Sequence, residues 1–176
     1  MPRPRDVITK RPTILFVGIN PGTTSGKVGH HFAGPGNPFW KLLHASGITP
    51  VELRAEEDQR LAEFGYALTN LVARTTKTAA ELSRKELVRG RERLHEKVRA
   101  MKPHVIALVG VTLYPVVFGL TGKLAAPGPG PKPERLEGAR VFVVPNPSGL
   151  NASFPGFASK LVWFEQLARF ARRIRS

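Results

Sequence analysis

Three short apolar runs constrain this chain most. Thr13 to Ile19 reads TILFVGI, His104 to Gly110 reads HVIALVG, and Arg140 to Asn146 reads RVFVVPN. A strand with one wet face alternates apolar and polar residues, whereas a nearly continuous apolar run has both faces covered. Tyr66 to Val72, YALTNLV, is a weaker candidate of the same kind. Helical patterns lie between the runs. Asn37 before Pro38 reads as an N-cap with proline in the first turn, opening a helix through Phe39, Trp40, Leu42 and Leu43 that stops near Gly47. Ser83 and Glu86 have the spacing of a capping box, followed by a stripe of Leu87, Leu94, Val98 and Met101 that ends at Pro103. A last helix turns Leu161, Phe164, Ala168 and Ala171 inward and Arg169, Arg172, Arg173 and Arg175 outward. Strands separated by helices predict an α/β fold: one domain of three layers, α/β/α, around a mostly parallel sheet.

The 176 residues suit one such domain, assigned to 13–176, and the basic opening MPRPRDVITKRP reads as a flexible arm over 1–12. The Gly- and Pro-rich stretch from Ala125 to Gly138 reads as a loop. Lys and Arg total 27 against 13 Asp and Glu, a net charge of +14, which implies a polyanionic partner with nucleic acid first. The cysteine count is zero, which excludes disulfides, cysteine-bound zinc, iron–sulfur clusters and a cysteine nucleophile. No apolar run has a membrane span's length and the opening lacks the apolar stretch of a secretory signal, so a cytoplasmic protein without membrane contact is expected.

Open parallel sheets bind ligands beyond the carboxyl ends of their strands, so the segments after Ile19, Asn70, Gly110 and Val144 matter most. After the first run come six glycines between Gly18 and Gly36, a backbone that lets a ligand approach closely. After the last comes Val144-Pro145-Asn146-Pro147-Ser148-Gly149-Leu150-Asn151, a stiff turn with an apolar residue near its tip. No Asp or Glu occurs from Pro12 to Val51 or from Gly138 to Phe164. That argues against paired-carboxylate hydrolysis and hard-metal chemistry, and suits a rim that receives phosphates. Gly22-Thr23-Thr24-Ser25-Gly26-Lys27-Val28 is no nucleotide phosphate loop: three residues rather than four separate its glycines, and Val28 follows the lysine. Adjacent His30 and His31 cannot easily converge on one ion, so a polar loop or a phosphate contact is the reading, and no metal or cofactor is expected. Asn20 is neither acid, base nor nucleophile. It can cap its own Asn-Pro-Gly turn, or it can orient a water and bond a polar ligand; the residues alone leave both open.

Four blocks, in order, carry a resemblance: Gly18-Ile19-Asn20-Pro21-Gly22; Gly29 to Asn37, GHHFAGPGN; Leu68 to Thr76, LTNLVARTT; and Asn146-Pro147-Ser148-Gly149-Leu150. With the Ser83–Arg93 region they resemble the mismatch-specific uracil/thymine DNA glycosylases over about Ile14 to Trp163. Zero Cys excludes the iron–sulfur relatives, and Asn20 stands where another branch places an aspartate. The resemblance implies a monofunctional enzyme, active as a monomer on double-stranded DNA. It would flip out uracil, or thymine and modified pyrimidines, preferably opposite guanine, and hydrolyse the N-glycosidic bond to leave an abasic site for base excision repair.

The resemblance also implies roles. Asn20 positions the water. Ile19 lines the base pocket, Phe32 stacks on the flipped base, Asn70 bonds its edge, and Ser25 lies near its 5-substituent, where serine leaves less apolar room than alanine and so favours uracil over thymine. Leu150 is the wedge that fills the vacated stack, and Asn146, Ser148 and Gly149 reach the orphaned partner. Some relatives carry an arginine shortly after the leucine; Asn151 and Ala152 follow here, so no opposite-strand arginine contact carries over. The alternative from another class is a nucleic-acid-binding module without catalysis, which basic charge and aromatics in Gly-rich loops would also serve.

Overall fold

All four apolar runs become strands. In the computed structural model, which describes residues 3–122, 127–148 and 151–175, β1 is Ile14–Gly18, β2 Tyr66–Asn70, β3 Val105–Val109 and β5 Ala139–Val144. They pair in parallel in the order β2-β1-β3-β5, with β4, Gly130–Leu136, antiparallel on the edge beside β5. The helices are α1 Thr23–Val28, α2 Phe39–Ala45, α3 Arg84–Met101, α4 Leu113–Phe118 and α5 Gly156–Arg175, with a ten-residue 3₁₀ segment over Ala55–Phe64 and a short one over Ala79–Glu81. None among the described residues is long and apolar enough to cross a membrane.

Period-two alternation divides the strands between two cores. Ile14 and Phe16 of β1, Leu68 of β2, Val105 and Ala107 of β3 and Phe142 of β5 face α2, α5 and the 3₁₀ segment. Leu15, Val17, Ala67, Ile106, Leu108, Val141 and Val143 face α3 and α4. These are the three layers expected. The capping box forms as spaced: the Ser83 hydroxyl accepts from Glu86 N, and the Glu86 carboxylate accepts from Ser83 N. Asn37 accepts from Phe39 N at 3.0 Å, so it caps α2 while Pro38 takes the cap backbone position.

Two expectations need correction, and one element is added to the reading. First, Gly130–Leu136 is a strand inside the stretch read as a loop. Pro131 and Pro133 point outward, and an edge strand tolerates residues without an N–H; Gly130, Lys132 and Leu136 turn inward, so the period is present beneath a composition that masks it. Lys132, 3% exposed, sits 4.9 Å above the Tyr114 ring, and the Tyr114 hydroxyl donates to Glu134. Second, the Gly-rich segment after β1 contains a helix, α1, closed by Gly29 in the left-handed region. Third, the opening segment is docked. Val7, 1% exposed, exchanges both backbone hydrogen bonds with Leu68, and Arg11 N donates to Met101 O. Asp6 accepts from the Thr69 hydroxyl and pairs with Lys97 at 2.9 Å. The apolar Val7 and the anionic Asp6 hold a segment whose arginines suggested an unattached tail.

Candidate active site

The chain runs from β1 outward to β2, then returns to the far side of β1 for β3. Where strand order reverses, the connections diverge and leave a crevice at the carboxyl ends. A cavity of about 500 Å³ opens there. Its wall comes from the Gly18–Ser25 turn, from His31, Phe32, Gly34 and Asn37 of the loop before α2, from Asn70 and Thr76–Ala79 after β2, from Val109, and from Asn146 and Ser148. Pro4 closes one side. Among the described residues lining it there is no carboxylate, and Lys77 supplies a positive charge.

Asn20 does not cap its own turn. Its Nδ2 donates to Arg74 O at 2.9 Å and to Thr76 Oγ1 at 2.7 Å. A carbonyl cannot donate, so the amide's orientation is determined: the nitrogen faces the loop after β2, and Oδ1 is left as an acceptor with no partner among the described residues. The Thr76 hydroxyl passes its own hydrogen to Thr78 O at 2.7 Å, so it can only accept from Asn20. Arg74 is itself clamped, with its guanidinium on Glu86 at 2.6 and 3.1 Å. That guanidinium, with the Ser83 N–H behind it, pulls the Glu86 carboxyl down to about 2. The capping box of α3 thus anchors the loop that holds Asn20.

Phe32 is half-buried, with its ring stacked on Phe39 at 4.0 Å and 20°. It lines the cavity, and its backbone takes the left-handed region at φ +50°, uncommon for an aromatic residue. Ser25 is buried and its hydroxyl accepts from Ala33 N at 3.0 Å, so it ties α1 to the loop that carries Phe32. Ile19 lines the cavity and packs toward the α3 core. Gly18 explains the close approach: a Cβ there would stand 2.7 Å from Asn70 Oδ1 and 3.6 Å from Phe32 Cζ. Only a bare α-carbon admits both side chains over the end of β1.

His31 departs from the phosphate-contact reading. It is 2% exposed; its N–H donates to Asp58 Oδ2 at 3.0 Å, and its ring Nε2 lies 2.8 Å from Arg5 O. Burial pushes the imidazole below its ordinary range, against the raising influence of the Arg5 carbonyl, Asp58 and Asp6. His30 Nδ1 meets the same Asp58 at 3.3 Å. Asp58, 1% exposed, thus fastens the histidine pair from behind without reaching the cavity lining. No group of three side chains able to hold a metal occurs among the described residues.

On the opposite rim Asn146 Oδ1 accepts from Ser148 N at 2.9 Å, and Asn151 returns to Asn146 O at 3.1 Å, a self-tied turn. Gly149 and Leu150 lie outside the described residues. The roles of Thr76, Asp58 and the Arg5 carbonyl come from the structure alone. Thr76 ends the LTNLVARTT stretch, whereas no local pattern marks Asp58 or a backbone carbonyl.

The fold has a solved counterpart. A protein from Methanosarcina acetivorans, solved by NMR and described as a candidate uracil DNA glycosylase, matches over 99% of this chain and 98% of its own, with a TM-score of 0.62 and 18% identity. At that identity the likeness establishes the fold. The model of the Uracil DNA glycosylase superfamily matches residues 6–168, nearly the whole length of the described strands and helices. This chain therefore belongs to the uracil DNA glycosylase superfamily.

Proposed function

We propose that this DNA glycosylase removes uracil from duplex DNA, preferably opposite guanine, by flipping the nucleotide into the cavity and hydrolysing its N-glycosidic bond. The observation that carries the reading is Asn20: an amide pinned through its nitrogen, with its carbonyl oxygen left to accept from a water at the carboxyl end of β1. A water held by an amide is a weak nucleophile, because the amide takes no proton. The C1′–N1 bond must therefore lengthen first, leaving cationic character on the sugar and negative charge on the departing pyrimidine. Water then adds its oxygen to C1′, and its proton ends on the base or in solvent. The carboxylate-free lining suits this order, since no anion competes with the pyrimidine or the DNA phosphates.

Phe32 offers the flipped base a ring face whose other side rests on Phe39; such stacking contributes about 1–3 kcal/mol. Asn70 presents amide groups to the base edge, Oδ1 accepting from uracil N3–H and Nδ2 donating to O4. Cytosine has donor and acceptor exchanged on that edge and fits poorly. Ser25 and Ile19 bound the far side of the base, and thymine, bulkier than uracil, is the weaker substrate. The turn carrying Asn146, Ser148, Gly149 and Leu150 supplies the wedge and the contact with the partner strand.

Single-turnover excision on a duplex with uracil opposite guanine tests the claim. Wild-type enzyme in excess yields abasic product, and Asn20→Ala lowers the rate by about 100-fold or more, the scale of a lost proton-handling or water-orienting group, while still binding the duplex. Tight duplex binding with no abasic product from the wild type would instead identify a non-catalytic module.

A further inference from the structure

The docked opening segment grips β2 one residue at a time. Val7 pairs with Leu68 through both backbone hydrogen bonds, at 2.9 and 3.0 Å. Asp6 accepts from Thr69 Oγ1 at 2.8 Å, and Lys97 bridges the two, 2.9 Å from Asp6 Oδ2 and 2.7 Å from the Thr69 hydroxyl. Arg5 comes next, opposite the position where β2 delivers Asn70. Its carbonyl oxygen accepts from His31 Nε2 at 2.8 Å and from Gln59 Nε2 at 3.1 Å.

A carbonyl only accepts, so the hydrogen of a neutral His31 is on Nε2 and Nδ1 keeps a lone pair. That lone pair faces Asn70 Nδ2 at 3.5 Å. The contact is long, but its sign is definite: Nδ1 attracts an amide N–H and repels an amide oxygen. Asn70 therefore turns Nδ2 toward His31 and Oδ1 over Gly18, where a Cβ would stand 2.7 Å away. A hydrogen on Nδ1 would reverse the preference and exchange donor for acceptor on the edge offered to the base.

We propose that residues 5–7 are a positioning strap for base selection: the Arg5 carbonyl sets the His31 tautomer, and His31 sets which way the Asn70 amide faces the pocket. Arg5 and Asp6 are positioning residues, since neither meets the base. The inference rests on the reading of Asn70 as the group that bonds the base edge. The charged and titratable groups facing His31 are Asp58 from the 3₁₀ segment, Asp6 from the strap and the neighbouring His30.

Two measurements test it. Long-range ¹H–¹⁵N NMR of the imidazoles in the wild-type protein reads the tautomer without any substitution; the strap predicts His31 protonated on Nε2. A double-mutant cycle then asks whether the strap acts through the ring. Asp6→Ala, which frees the strap from Thr69 and Lys97, lowers single-turnover uracil excision about fivefold in the wild-type background, the scale of one lost hydrogen bond, and has no further effect on His31→Phe. Protonation of His31 on Nδ1 alone, or an equal loss from Asp6→Ala in both backgrounds, would overturn the strap. The reading beneath it fails separately: Asn70→Ala with full uracil excision would remove base-edge recognition by Asn70, whatever the tautomer of His31.

Discussion

Asn20 illustrates what a single side chain needs to be useful in a site. An amide is symmetric in shape and nearly free to flip, so an unconstrained asparagine presents donor and acceptor to the cavity by turns. Two acceptors on one side, Arg74 O and Thr76 Oγ1, remove that freedom and leave the oxygen as the exposed end. Thr76→Val is the sharp test, because it keeps the shape and deletes one acceptor. The amide loses one of its two acceptors, a hydrogen bond of about 1 kcal/mol, and Thr78 O loses the hydrogen that the hydroxyl donated; the amide then turns part of the time and single-turnover excision falls about fivefold. Phe32 is the other constrained residue. Its left-handed backbone at φ +50° holds the ring parallel to Phe39, and the Ser25–Ala33 hydrogen bond at 3.0 Å beside it keeps the loop in that shape.

Among the elements, α3 does more than cover a sheet face. Its Gly90 lies where a Cβ would meet Leu71 O at 2.5 Å, so helix and strand end are in backbone contact. Its first turn holds Glu86, which closes the capping box and grips Arg74 at once. The same carboxylate therefore serves helix, loop and, through Arg74 O, Asn20. Glu86 has a folded pKa of about 2, below the ordinary 4.5. A depressed carboxyl favours the folded state above its unfolded pKa, and that contribution is lost as pH falls from about 4.5 toward 2. Glu86→Gln should accordingly flatten the acid limb of the stability curve in that window. Chemical denaturation at a series of pH values checks it, and an unchanged slope would mean that the pair contributes nothing.

At the scale of the molecule, the net charge of +14 favours a polyanionic partner. Four of the acidic residues form ion pairs at the surface, with Glu86 on Arg74, Asp6 on Lys97, and Glu57 and Glu63 on Arg60. The cavity rim keeps Lys77 and no carboxylate among its described lining residues. Binding to duplex DNA should then be dominated by counterion release. With about four phosphates neutralised, affinity drops roughly 10²-fold between 50 and 200 mM salt. A titration of duplex affinity against salt reads the slope directly, and a flat slope would contradict a phosphate-lined approach to the cavity.

The chain's own pattern determined the parallel strands, the layers on both faces, the capping box of α3 and the strand ends beyond which the cavity opens. Each of these is written in local periodicity: a strand buried twice over must be apolar at every position, and a capped helix must place its partners three residues apart. Tertiary structure alone decided the rest. Asn20 found its partners 54 and 56 residues away, His31 found Arg5 and Asp58 26 and 27 residues away, and an opening that looked like a loose basic tail was bound by Val7 and Asp6 to β2. β4 hid in a Gly- and Pro-rich composition because an edge strand needs only some of its N–H groups. A one-dimensional pattern records which face a residue must bury, but not which distant donor its acceptor will meet; that depends on how the strand ends converge.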